Sequence, residues 1–213
     1  MLRGLGVRTP ADVADANVGL FSLFLKQECP GARILAFEPI PATHRALVEN
    51  LENHGATGVE VVRAALGRRP EARVSFTFYP ALHGNSTRYP EQKKINQELI
   101  VEQIGPAAVD RIMGGVEVEA EVRRLSDALR DWAPEGPIDL LKIDVEGAEL
   151  EVVEGLDPSD WRRVRQCVLE VQDLDGRVDA VLGLIDAHGF TATTERAPDI
   201  PDVLRQSMVY ATR

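Results

Sequence analysis

Three acids crowd the run Leu141-Lys142-Ile143-Asp144-Val145-Glu146-Gly147-Ala148-Glu149-Leu150, at 144, 146 and 149 around one glycine. They follow the apolar stretch from Ile138 to Ile143. A buried strand of a parallel sheet that ends on carboxylates delivers them to the edge where ligands bind. The run Ile34-Leu35-Ala36-Phe37-Glu38-Pro39 repeats the device, and Ala16-Asn17-Val18-Gly19 supplies a glycine turn ahead of a helix. A glycine there lets a ligand approach the backbone, while the amides of the helix N-terminus face that ligand. Glu38 follows Gly19 by 19 residues, close to the offset of about 20 at which an acid accepts from ribose hydroxyls. The constellation reads as a nucleotide-type cofactor held across a doubly wound sheet. An α/β domain with incidental strand-end acids is the alternative.

Strand and helix patterns alternate around these residues. Ala11 to Ala16 reads as a first strand, followed by a helix from Leu20 to about Glu28. A second strand covers Arg33 to Glu38, and Pro41 opens a helix with Ala46, Leu47 and Leu51 at helical spacing. Val59 to Ala65 is a third strand closed by Leu66-Gly67, and Val74 to Phe78 is an extra one. Pro80 to Tyr89 is a loop of the kind that faces substrates, Glu91 to Met113 a polar helical insertion, and Val116 to Val122 another alternating strand. The core resumes with strand 138–144, a helix near Ala148 and strand Cys167 to Val171. The helix from Arg177 to Ala187 places Val178, Val181, Leu182 and Ile185 on one face before Gly189. Thr191 to Thr194 and Met208 to Thr212 pair antiparallel at the sheet edge. Such βα alternation with right-handed crossovers gives a three-layer α/β sandwich, mostly parallel with an antiparallel last strand.

The length of 213 residues suits one domain with a sizeable core, carrying an insertion at about 79–122. A net charge of −10 argues against a nucleic-acid surface, which needs clustered Lys and Arg. Cys29 and Cys167 lie far apart, so neither a disulfide framework nor a zinc site is expected, and a reducing cytoplasm is the simpler setting. No run is long and apolar enough for a membrane span, so a cytoplasmic chain is expected.

The strings Phe37-Glu38-Pro39, Leu47 with Asn50, Ala64-Ala65-Leu66-Gly67 and Lys142-Ile143-Asp144-Val145-Glu146-Gly147-Ala148-Glu149 together resemble the FkbM-type methyltransferases. The loop Gly84-Asn85-Ser86-Thr87-Arg88-Tyr89-Pro90-Glu91 is similar to the branch found in polyketide and nonribosomal-peptide pathways. The resemblance covers about residues 13–212 and implies a class I, Rossmann-like fold, S-adenosylmethionine (SAM) as cofactor and transfer of methyl to a hydroxyl. It further implies that Glu38 with Pro39 holds the ribose, that Asn17 and Gly19 hold the methionine end, and that Ala64, Ala65 and Leu66 lie against adenine. Two positions depart from the family's pattern. Asp15 either stands where the first glycine is expected or is the motif's acid in a loop shortened by two residues, and an acid there could engage the methionine ammonium; Gln172 follows Glu170-Val171 where a histidine is expected.

Methyl transfer to an alcohol needs alignment, desolvation and a group that removes the hydroxyl proton. Histidine is the natural base near neutral pH. His44, His54 and His188 fall on helices or helix ends, where surface or capping roles are expected, which leaves His83 as the candidate base beside Asp144 at the acceptor. Asn85, Ser86, Thr87 and Tyr89 are candidate substrate contacts, with turn-building as their alternative. Asp144, Glu146, Glu170 and Asp173 form an oxygen-only set that would suit Mg²⁺, although their spacing is not ligand-specific and the metal is not favoured. Glu146 and Glu149 read equally as helix caps. Lys142 is expected to point to a helix layer and pair with an acid. The expected partner is a small-molecule or carrier-tethered hydroxyl compound, within a biosynthetic assembly where one exists. A methyltransferase-fold domain that no longer catalyses and serves as a scaffold is the rival reading.

Overall fold

Parallel strands buried on both faces organise the chain. The computed structural model describes residues 11–14, 16–196 and 201–213. Its main sheet is built from β1 (Ala11–Ala14), β2 (Ile34–Phe37), β3 (Val59–Val62), β7 (Leu140–Ile143), β8 (Gln166–Gln172), β9 (Thr191–Arg196) and β10 (Gln206–Thr212). The order across it is β3-β2-β1-β7-β8-β10-β9. The first five strands of that order run parallel, and β10 is antiparallel to both its neighbours. The three-layer architecture expected from the alternation is present, with the antiparallel pair at the edge.

Side-chain alternation divides the core between two faces. Ile34, Ala36 and Leu140 pack with Leu25 of α1 (Leu20–Glu28) and Leu47 and Leu51 of α2 (Pro41–Asn53). Leu35, Phe37, Leu141 and Ile143 face the other way. They pack against α5 (Leu125–Trp132), α6 (Glu149–Glu154) and α8 (Arg177–Ala187), and against Trp161 of α7 (Pro158–Trp161). Burying both faces of each strand is what makes these segments read as continuous apolar runs.

Several boundaries differ from the sequence reading. The third strand stops at Val62, and Ala65–Leu66 leaves the main sheet as β4. β4 pairs with β6 (Val116–Arg123), which pairs in turn with β5 (Glu71–Phe78), giving a second, three-stranded sheet. The chain departs because Ala65 packs into this second sheet's core with Ile40, Phe76 and Val122 while Leu66 turns to the main core, which a local pattern does not encode. α5 and α7 went unread; α7 spans four residues, too few to show a helical period. The insertion contains 3-10 turns at His83–Asn85 and Pro90–Lys93, then α3 (Lys94–Ile104) and α4 (Pro106–Ile112), interrupted at Gly105. Among the described residues no helix is long and apolar enough to cross a membrane.

Candidate active site

The carboxyl ends of β1, β2, β7 and β8 converge where the strand order reverses, with β2 on one side of β1 and β7 on the other. This is the crevice in which doubly wound sheets bind ligands. Two clefts open there. The first, with an empty volume of about 510 Å³, has apolar walls from Phe37, Ile40, Ala65, Leu66 and Phe76 and a single acid, Glu38. The second, about 770 Å³, is lined by Asn17, Phe21, Lys142, Asp144, Glu146 and Glu170. His83 lines both.

Glu38 follows directly on β2 and is 3 % exposed. Its Oε1 accepts the Ile40 amide at 2.8 Å, and its own amide donates to the Val62 carbonyl at 3.1 Å. The carboxylate is therefore held in place beside an apolar slot. A buried carboxylate acceptor next to an apolar wall formed by Ala64, Ala65 and Leu66 fits a nucleoside, with the base in the slot and the ribose hydroxyls donating to the acid. Pro39 also lines this cleft.

The turn after β1 takes its shape from Asn17 (φ 47°) and Gly19 (φ 90°). Asn17 Oδ1 accepts the Val18 amide at 2.8 Å, and His83 Nδ1 lies 2.8 Å from the same oxygen. An amide oxygen only accepts, so His83 Nδ1 is the donor, and in the neutral imidazole Nε2 is then the nitrogen with a free lone pair. Gly19 has a different role from the one expected. A Cβ there would sit 2.6 Å from Leu47 Cδ1, so the glycine makes room for α2 in a left-handed turn rather than for a ligand. Asn50 Nδ2 ties α2 to the same turn through the Val18 carbonyl at 2.8 Å. Asp15 lies outside the described residues.

Of the other candidates, Asp144 caps β7 and accepts from Lys142 Nζ at 2.7 Å. Lys142 alternates with Leu141 and Ile143 and so faces α1, its ammonium 5.4 Å from the Phe21 ring centroid. It thus points to a helix layer and pairs with an acid, as expected, and it also lines the second cleft. Ser86 lines the first cleft, and its Oγ accepts the Tyr79 amide at 3.3 Å. Asn85 closes the 3-10 turn and lines neither cleft. Thr87 and Tyr89 are fasteners, not substrate contacts. Thr87, 1 % exposed, donates to the Glu146 carbonyl at 2.6 Å and accepts the Tyr89 amide at 2.9 Å. The Tyr89 hydroxyl donates to Glu151, and burial together with that carboxylate pushes its pKa up to about 12.

The acids do not converge as one set. Glu146 pairs with the buried Lys93 of the insertion, and burial raises its pKa despite that ammonium. Glu149 accepts the Gly147 amide at 2.7 Å within the turn that opens α6; burial pushes it to about 7. Asp173 points to α8, where Oδ1 accepts the Val178 amide at 3.2 Å, and it lines neither cleft. Among the described residues no three His, Cys, Asp or Glu side chains are arranged to hold a metal ion. Glu170 lines the second cleft and accepts from Gln206; burial first, then repulsion from Asp144 and Glu146, push it to about 7. Of the remaining histidines, His54 Nδ1 lies 2.8 Å from the Asn50 carbonyl and His188 stacks on Trp161 at 4.9 Å; with His44 they lie outside both clefts.

An apolar slot beside a buried acid and a polar cleft, at the switch point of this strand order, define a Rossmann-like fold of the class I methyltransferase type. Solved structures agree on the fold. Methyltransferase FkbM from Methylobacillus flagellatus KT superposes with a TM-score of 0.59 at 14 % identity, covering 98 % of this chain and 46 % of that one. The precorrin-6y C5,15-methyltransferase of Geobacter metallireducens GS-15 gives 0.53 at 14 % identity, covering 100 % and 84 %. The family is shown by sequence: residues 14–192 match the model of the methyltransferase FkbM domain, and the chain belongs to that family. Methyltransferase sdnD of Sordaria araneosa is 41 % identical, over 94 % of this chain and 80 % of that protein. The 31-O-demethyl-FK506 methyltransferase FkbM of Streptomyces tacrolimicus is 35 % identical, over 89 % and 76 %. The AMB antimetabolite synthetase AmbE of Pseudomonas aeruginosa is 35 % identical over 87 % of this chain, but only 10 % of its own length is matched.

Proposed function

We propose that this methyltransferase uses SAM to methylate a hydroxyl oxygen of a secondary metabolite. The observation that carries the reading is His83, which borders both clefts and is held by Asn17 with its Nε2 left as the basic nitrogen. SAM supplies an electrophilic methyl group on a sulfonium. Glu38 is suited to accept from ribose hydroxyls, Ala64, Ala65 and Leu66 to cover adenine, and Asn17 to stand at the methionine end. His83 Nε2 takes the proton of the acceptor hydroxyl as the oxygen is alkylated, and Asp144, neutralised by Lys142, orients that hydroxyl from the strand end. The acidic chain favours a neutral or cationic acceptor over a nucleic acid.

The names of the sdnD and 31-O-demethyl-FK506 relatives support methylation in natural-product synthesis, the second one on oxygen. The match within a much longer synthetase supports an assembly context, with an acceptor that is free or carrier-tethered. Calorimetric titration with SAM, followed by mass spectrometry of hydroxylated polyketide and peptide acceptors, tests the reading. Micromolar SAM binding lost in Glu38→Ala, with methyl gain on an oxygen, is the expected result. A folded protein that binds no SAM would leave a scaffold domain.

A further inference from the structure

We propose that Glu170 makes this site discriminate between the charged and neutral forms of its cofactor, favouring the sulfonium of SAM over the demethylated thioether product, S-adenosylhomocysteine. The inference rests on the SAM reading above and concerns its regulation, namely how the product is released.

Charge pairing within the second cleft carries the argument. Asp144 is neutralised by Lys142 at 2.7 Å. Glu146 is neutralised by Lys93. Glu170 is different: Gln206, a neutral amide, donates to its Oε1, and no described cation forms an ion pair with it. One uncompensated carboxylate is thus left in a cleft that is otherwise balanced. Burial is the main cause that raises its pKa, and repulsion from Asp144, Glu146 and Glu149 adds to it against the pull of Lys142. Carboxylates that repel one another are stabilised by a cation brought among them.

The two clefts share His83 as a common wall. A cofactor held at Glu38 by its ribose and at Asn17 by its methionine tail would carry its sulfur toward the cleft that Glu170 lines. SAM is positive at that sulfur and the product is not. The attraction disappears with the methyl group, so the product leaves a site that held the substrate more tightly. Asp144 and Glu146, being paired, contribute less than their number implies.

Isothermal titration of the full chain with SAM, sinefungin and S-adenosylhomocysteine tests this without an acceptor. Sinefungin places a protonated amine where SAM has its methylsulfonium. Titrations belong at pH 8, where Glu170 is ionised against the surrounding Asp144, Glu146, Glu149 and Lys142. The wild type is expected to bind both cationic ligands about fivefold or more tightly than the neutral one, the size of a partly screened charge–charge attraction. Glu170→Gln keeps an oxygen for Gln206 and removes the charge, so it should bring the three affinities within about twofold of one another. Equal wild-type affinities overturn the proposal even if the variant does not fold. Discrimination that survives in a folded Glu170→Gln removes Glu170 from it. Failure of all three ligands to bind overturns the SAM reading itself, and the proposal with it.

Discussion

Replacing Lys93 with methionine isolates the contact that fastens the insertion to the turn after β7. Lys93 is 4 % exposed and its ammonium pairs with Glu146, whose side chain is 16 % exposed. Methionine keeps most of the stem's volume and removes the charge, leaving a carboxylate in a site that already raises its pKa by burial. Breaking one partner of a buried pair costs about 3–5 kcal/mol, because the remaining ion is uncompensated. For a chain of this length that is a fall in Tm of roughly 6–20 °C. The sign with pH follows from Glu146. A carboxyl whose folded pKa is raised binds protons more tightly when folded, so protonation relieves the strain and stability rises as pH falls. Urea unfolding of Lys93→Met should thus show its largest deficit at pH 8 and a smaller one at pH 5. Lys93→Met combined with Glu146→Gln should recover most of the loss, the mark of a coupled pair. A loss under about 1 kcal/mol that is independent of pH would mean the carboxylate is solvated and the reasoning is wrong.

Gly19→Ala should cost about 2–5 kcal/mol, from a left-handed alanine and a Cβ placed 2.6 Å from Leu47 Cδ1. Adding Leu47→Val should return part of it in denaturant melts; no rescue would point to the backbone alone. Glu149 and Glu170, both raised from 4.5 to about 7, make the folded state bind extra protons, so stability should decline as pH rises from about 4.5 through 7. Glu149→Gln and Glu170→Gln should each flatten that decline in pH-dependent thermal melts. His83→Ala should reduce methyl transfer by about 10²- to 10⁴-fold while calorimetry finds cofactor affinity little changed. A large loss of cofactor affinity instead would make His83 a binding group.

How much of this was legible beforehand varies by residue. α1, the start of α2 at Pro41 and α8 fall where spacing and punctuation placed them, since capping, proline and the 3.6-residue period are local properties. Glu38 was readable as the strand-end acid because β2 is apolar on both faces up to Phe37. Thr87 and Tyr89 were misread because a polar loop residue looks the same whether it meets substrate or, as here, a carbonyl and a carboxylate 59 and 62 residues away in sequence. Gly19 was read in the right turn for the wrong neighbour: its φ is a local demand, but the side chain it avoids belongs to α2.

The sequence by itself therefore determined the succession of strands and helices, the acids at the strand ends and the family, because each is written in periodicity or in a contiguous string. Only the tertiary structure decided which acids are neutralised. Lys142 answers Asp144 across a strand end, Lys93 answers Glu146 from 53 residues away, and among the described residues Glu170 meets an amide from β10 and no ion-pair partner. Neutralising a buried carboxylate needs a cation in contact within a few ångströms, and distance along the chain carries no record of which side chains meet.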